Sequence, residues 1–345
     1  MSARRSPLKS LNFAALRIKD AVCDHLREAT GARPSVDTHR PDLPLLLFVG
    51  EDRAALYADL SGEPLFKRGW RDDTGEAPLK ETLAAALLAA AGWRGRAEDG
   101  ALFDPMCGAG TIAIEAAQLA CGMAPGLARR FAFERLAPFK PVLGAWREMQ
   151  VAARARVHAP TVPVFAGDVS FRMTDFATRN AERAGVRDAI EFKTADALQR
   201  SPPAVEGSRG GTMILNPPYG ERIEAKGSVP AGGPPGRAPA AQGDRAAQAT
   251  RGASAREGFE GGPAGEFFSA LAAHWKRDYA GWTAWVLSPE MRLPSLMRLK
   301  ESRRVPLWNG PIECRLFRFD LVAGSARAPS GEGRPAGPMT QSSEP

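Results

Sequence analysis

Four residues able to do chemistry sit at the ends of apolar, strand-like runs. Asp104 follows Ala101-Leu102-Phe103, Asp168 follows Val164-Phe165-Ala166-Gly167, Asp196 follows Ala189 to Thr194, and Asn216 follows Thr212 to Leu215. Asp104 opens the turn Asp104-Pro105-Met106-Cys107-Gly108-Ala109-Gly110-Thr111, whose glycines let the backbone approach a ligand before a helix begins. Asp168 has the chemistry to accept hydrogen bonds from ribose hydroxyls, and Asp196 from an adenine amino group. Either acid alone is more often a helix cap, and the turn alone is as readily a plain strand-to-helix connection. Three acidic strand ends in order favour a cofactor with a nucleoside part. A nicotinamide fits worse: Gly108-Ala109-Gly110-Thr111-Ile112-Ala113 lacks the third glycine, and Asp168 lies far beyond the usual ~20-residue spacing.

The fourth strand end carries Asn216-Pro217-Pro218-Tyr219-Gly220. Two prolines make a rigid turn without N–H donors, so the Asn216 side-chain oxygen and the Pro217 carbonyl are left to accept. A pair of acceptors suits the two hydrogens of an exocyclic amine on a flat base, and Tyr219 offers a face for the ring to stack on. Held this way, the amine turns its lone pair toward an electrophile. The expected catalytic set is Asn216, Pro217, Pro218 and Tyr219, and the competing reading is a proline-rich loop with a buried tyrosine.

Such residues need a parallel sheet to place them on one rim. Strand-like and helix-like patterns alternate from Ala101 onward, with helices at Thr111 to Ala120, Ser170 to Ala184 and Gly265 to Tyr279. A strand at Thr283 to Leu287 follows, then a pair at Arg303 to Trp308 and Ile312 to Leu321 around the hairpin signal Asn309-Gly310. The expectation is an α/β, doubly wound sheet ending in an antiparallel hairpin. Residues 1–75 read as a smaller α/β unit with a helix from Asn12 to Glu28 and two strands, Leu45 to Val49 and Ala55 to Leu60. Two strands and one helix bury little. The stretch 225–263 is dominated by Ala, Gly and Pro and reads as a disordered insertion, as does the tail 323–345. The expected domains are therefore 1–75 and 76–322, followed by that tail.

Composition narrows the setting. The chain has 345 residues and a net charge of +7, a modest basic surplus compatible with a polyanion. No apolar run approaches the ~18–20 residues of a membrane span, and no signal peptide is expected from the residues that open the sequence. Four scattered cysteines without CxxC spacing fit a reducing cytoplasm, and no metal site is expected. Residues 129–156 and 292–318 each hold seven basic and two acidic side chains, which read equally as a solvated surface or as phosphate contacts by the catalytic unit.

Taken together, Lys67-Arg68-Gly69-Trp70-Arg71, Pro78-Leu79-Lys80-Glu81-Thr82-Leu83, the Asp104 to Thr111 turn and Asn216-Pro217-Pro218-Tyr219-Gly220-Glu221-Arg222 carry a resemblance. The chain resembles the THUMP-containing class I S-adenosylmethionine-dependent RNA methyltransferases, the RlmL-type 23S ribosomal RNA guanine N2-methyltransferase family. The resemblance implies a Rossmann-like methyltransferase sheet preceded by a THUMP α/β domain entered part-way. It implies S-adenosylmethionine as cofactor, contacted by Asp104, Pro105, Gly108, Gly110, Thr111, Asp168, Asp196 and Asn216. It also implies 23S ribosomal RNA or its assembly precursor as partner. Arg68, Arg71, Lys80, Arg129, Arg130 and Arg222 are the expected RNA contacts. Transfer RNA guanine N2 or adenine N6 methylation stays open, since each presents an exocyclic amine, and a non-catalytic assembly factor is the remaining alternative.

Overall fold

The computed structural model describes residues 1–39, 41–75, 78–205, 210–218 and 263–322. The expectations placed on Tyr219, Arg222, the insertion to residue 262 and the tail 323–345 lie outside the described residues.

The N-terminal unit has three strands, not two. β1 (Ser2–Ala3) pairs parallel with β2 (Leu45–Val49), which pairs antiparallel with β3 (Ala54–Ala58), while α1 (Leu11–Thr30) intervenes in the chain. Two residues are too few to show a period of two, which is why β1 is invisible in the sequence. The Ser10 hydroxyl caps α1 by accepting from the Phe13 amide at 3.2 Å, and Gly31 ends it in the left-handed conformation.

The second unit opens with α2 (Glu81–Ala91), followed by β4 (Ala101–Asp104), α3 (Thr111–Ala120), α4 (Leu143–Ala155) and β5 (Val164–Asp168). It continues with α5 (Phe171–Arg183), β6 (Ile190–Thr194), β7 (Gly211–Leu215), α6 (Pro263–Asp278), β8 (Thr283–Ser288), α7 (Leu293–Met297), β9 (Arg303–Asn309) and β10 (Ile312–Asp320). Seven strands form one sheet in the order β6-β5-β4-β7-β8-β10-β9. Strands β4 to β8 run parallel, and β10 lies antiparallel between β8 and β9, so the doubly wound sheet with its terminal hairpin is as expected.

Each strand divides its side chains between two dry layers, because successive residues point to opposite faces. Leu102, Val164, Ile214, Trp285 and Leu316 meet α2, α3 and α5 through Leu87, Ala113, Ala117, Ala177 and Ala181. Phe103, Phe165, Met213, Val286 and Phe317 meet α6 and α7 through Phe268, Leu271, Trp275 and Met297. Alanine on the first set of helices lets three of them lie close to the sheet. That closeness holds the glycine turn at the end of β4 against α5.

Candidate active site

The winding of the chain reverses at β4, which has β5 on one side and β7 on the other. A crevice opens at such a switch point beyond the carboxyl ends of the strands. Asp104 ends β4 and Asn216 follows β7, so these two flank the crevice; Asp168 ends β5 and Asp196 follows β6 on the same rim.

Asp104 is 1% exposed, and among the described residues its one hydrogen bond is from the Met106 amide at 3.2 Å. Burial pushes its carboxyl well above the usual range, and the neighbouring Asp168 adds to the push. Asp168 accepts from the Gly108 amide at 3.1 Å on one oxygen and from the Ser170 amide at 3.0 Å on the other. Each oxygen keeps a further lone pair. The Cys107 amide donates to the Gly167 carbonyl at 2.7 Å, which binds the turn to the end of β5.

The two glycines of the turn have separate jobs. Both have positive φ, +53° at Gly108 and +88° at Gly110. A Cβ at Gly110 would lie 2.9 Å from that of Ala177 on α5, so only glycine allows this packing. A Cβ at Gly108 would meet nothing within 4 Å, so this glycine presents bare backbone to open space at the rim.

Asp196 is half-buried and accepts from the Leu198 amide at 2.9 Å. It borders a cleft of about 440 Å³ shared with Lys193, Ala195, Gln199 and Pro202. Arg200 pins this loop from below: its guanidinium donates to the Ala166 carbonyl at 3.2 Å and lies 4.9 Å from the Phe103 ring centre. The Arg200 carbonyl in turn accepts from the Tyr279 hydroxyl at 2.7 Å. On the other side of the crevice Asn216 and Pro218 are half-buried and Pro217 is buried.

The rim fits a cofactor with a nucleoside and a cationic end. A buried carboxylate whose ionised form is disfavoured, with a single backbone donor, gains a partner from a cation. Asp168 and Asp196 keep acceptor capacity at neighbouring strand ends, with the cleft beside Asp196, and Gly108 leaves the approach clear.

Asn180 was not anticipated. It is fully buried on α5, its amide donates to the carbonyls of Asp73 at 2.9 Å and Ala109 at 3.0 Å, and its oxygen accepts from the Asp72 and Asp73 amides. One side chain thus ties the segment before α2 to the glycine turn. The signal was available: Ala177, Asn180, Ala181 and Ala184 share a helical stripe, and an amide in an alanine stripe must find backbone partners.

Three of the expected RNA contacts are engaged within the protein. Arg68 is held in an ion pair with buried Glu115, with Nε to Oε1 at 3.1 Å. Arg71 bonds Glu81 at 2.7 Å and the Thr111 hydroxyl at 2.7 Å, joining α2 to the start of α3. Arg129 is only 8% exposed and donates to main-chain carbonyls of residues 61, 63 and 64. A guanidinium already desolvated and paired has little left to offer a phosphate. Lys80 and Arg130 are exposed, with the Lys80 ammonium 5.1 Å from the Phe66 ring centre.

An open α/β sheet with acids at three consecutive strand ends and Asn-Pro-Pro at a fourth defines a class I methyltransferase-type unit. Residues 68–231 match the RMKL-like methyltransferase domain, and residues 2–59 match the THUMP domain. Over these segments the chain is similar to THUMP domains and to RMKL-like methyltransferase domains. Two curated relatives are both named ribosomal RNA large subunit methyltransferase K/L. The protein of Psychromonas ingrahamii is 33% identical over 99% of this chain and 40% of its own length. That of Methylococcus capsulatus is 36% identical over 93% of this chain and 39% of its own. The chain thus spans about 40% of the length of the curated relatives it matches. A solved structure of a possible methylase from Clostridium difficile is 26% identical, with a TM-score of 0.71, covering 94% of this chain and 75% of that one.

Proposed function

We propose that this chain transfers a methyl group from S-adenosylmethionine to the exocyclic N2 amine of a guanine in 23S ribosomal RNA, in the cytoplasm. One observation carries the reading: Asp104, Asp168, Asp196 and Asn216 stand at four strand ends along one carboxyl rim, around the switch point. The names of the K/L relatives support ribosomal RNA as the substrate class.

In this reading Asp104 holds the cationic amino group of the cofactor, and the carboxylate that burial disfavours becomes favourable once paired. Gly108, Gly110 and Thr111 line the methionine part, Asp168 takes the ribose hydroxyls and Asp196 the adenine amine. S-adenosylmethionine bound there supplies an electrophilic methyl group. Asn216 and the Pro217 carbonyl hold both hydrogens of the target amine, so that its lone pair faces the crevice, and Tyr219 stacks on the ring. A guanine in a duplex buries this amine in the minor groove, so the base must be unstacked or lie in a loop. Residues 1–75 are the RNA-docking unit and 76–322 the catalytic one.

The test is to incubate the full chain with methyl-labelled cofactor and 23S ribosomal RNA from a strain lacking the gene, then analyse nucleosides by mass spectrometry. N2-methylguanosine is expected, falling by ~10²–10³-fold with Asn216→Ala. A product of N6-methyladenosine, or cofactor binding with no incorporation into any RNA, overturns the reading.

A further inference from the structure

We infer that Arg129 is a positioning residue that clasps the link between the two units and so fixes where RNA held by the first meets the site of the second. The inference rests on the RNA methylation proposed above. Arg129 lies between α3 and α4, and its guanidinium reaches back across 65 residues to the chain just past the N-terminal sheet. Nη1 donates to the Pro64 carbonyl at 3.1 Å, and Nη2 donates to the Ser61 carbonyl at 3.1 Å and to that of Glu63. The planar fork of a guanidinium can hold several carbonyls at once in fixed directions, which a lysine cannot reproduce. Its other face lies 4.9 Å from the Phe131 ring centre. Two backbone bonds complete the clasp: the Ala132 amide donates to the Ser61 carbonyl at 3.4 Å, and the Phe133 amide to the Leu60 carbonyl at 3.2 Å.

The gripped residues are the first beyond β3, which ends at Ala58. A few residues later Arg68 is pinned to Glu115, and the Trp70 carbonyl accepts from Arg183 at 2.9 Å. The link is therefore fixed at both ends. No described residue before Trp70 enters either buried apolar cluster of the catalytic unit. Outside the link, the tie described between the units is an exposed ion pair, Arg135 to Asp42 at 3.2 Å, and such pairs contribute little. With no shared dry core, orientation depends on the clasp.

The experiment uses the full chain with spin labels at Glu28→Cys and Phe171→Cys, both exposed, while the four native cysteines are buried. Pulsed-EPR distances should be narrow in the parent, broad with Arg129→Ala and intermediate with Arg129→Lys. The KM for 23S ribosomal RNA should rise at least tenfold with Arg129→Ala, with kcat and the Kd for S-adenosylhomocysteine within twofold of the parent. If that variant fails to fold, Gly62→Ala reports instead. Its Cβ would lie 3.2 Å from that of Ala132 at a φ of +80°, prying the link from the same clasp. A parent-like narrow distance in the soluble variant, or broadening without any change in KM, overturns the inference. If the parent methylates no RNA, the functional reading fails by itself, and the distances alone decide whether the clasp exists.

Discussion

The two units handle apolar surface in opposite ways. In the catalytic sheet both faces are covered, and Phe103, Trp285, Phe317 and Ile214 are sealed from water. Among the described residues of the N-terminal unit only Cys23, Leu47 and Val49 are buried, while Leu46, Phe48 and Tyr57 remain exposed on the sheet. The register explains the exposed face: Leu46 sits opposite Tyr57, and Leu47 opposite Leu56, so alternate residues of β2 face opposite ways. The catalytic unit can hold groups such as Asp104 and Asp168 in place because close packing fixes its helices. The N-terminal unit has no such dry interface to anchor it, so polar contacts at its exit orient it.

The largest expected break in this comparison is Phe103→Ala. Phe103 stacks parallel to Tyr279 with ring centres 6.4 Å apart and supports the Arg200 guanidinium from the sheet. Its loss should cost about 3–5 kcal/mol in urea unfolding of the catalytic unit, because the cavity lies between packed layers that relax little. The Arg200 loop should loosen with it, so cofactor affinity should fall beyond what stability alone explains. A loss under 1 kcal/mol would mean that the α6 layer is far softer than its burial indicates.

Much of this unit was legible because its strands are short apolar runs ending in polar residues, and strand ends are where α/β sheets place ligands. What escaped notice follows one pattern. α2 is so rich in alanine that it reads as a bare apolar run, and no side chain caps its start at Lys80. α4 reads as a basic stretch between prolines, since none of its residues is buried to mark a face. Arg68, Arg71 and Arg129 read as free charge because a sequence shows the sign of a side chain and not its partner. Their carboxylate and carbonyl acceptors lie up to 68 residues away, beyond any local pattern. Asn180 was hidden for the same reason.

A smaller effect, opposite in sign, is expected at the site itself. A carboxyl whose folded value is raised contributes most below its ordinary value near 3.8, and that contribution is lost as pH rises through the elevated native value. At neutral pH the unliganded protein therefore carries the cost of Asp104, and Asp104→Asn should raise Tm by a few degrees, at roughly 2–4 °C per kcal/mol relieved. The gain should vanish toward pH 3. S-adenosylhomocysteine should raise Tm in the parent and fail to do so in the variant. Thermal melts across pH with and without ligand read both effects, and a destabilised variant at pH 7 would show that Asp104 is already satisfied without a cation.

The smallest effect should come from Leu46→Ser on the outer face of β2. Leu46 is 46% exposed and its cross-strand neighbour Tyr57 is 53% exposed, so little water-excluded surface is lost on substitution. Substitutions at such positions usually stay within about 0.5 kcal/mol, and Tm should hardly move. The RNA KM should also stay near the parent value if the clasp at Ser61 to Pro64, and not the sheet face, orients the unit. A loss of more than 1 kcal/mol would be informative in another way: it would require the β2–β3 face to be covered in solution. Repeating the melt over a range of protein concentrations then separates a second copy of the chain, whose effect follows concentration, from an intramolecular cover, whose effect does not.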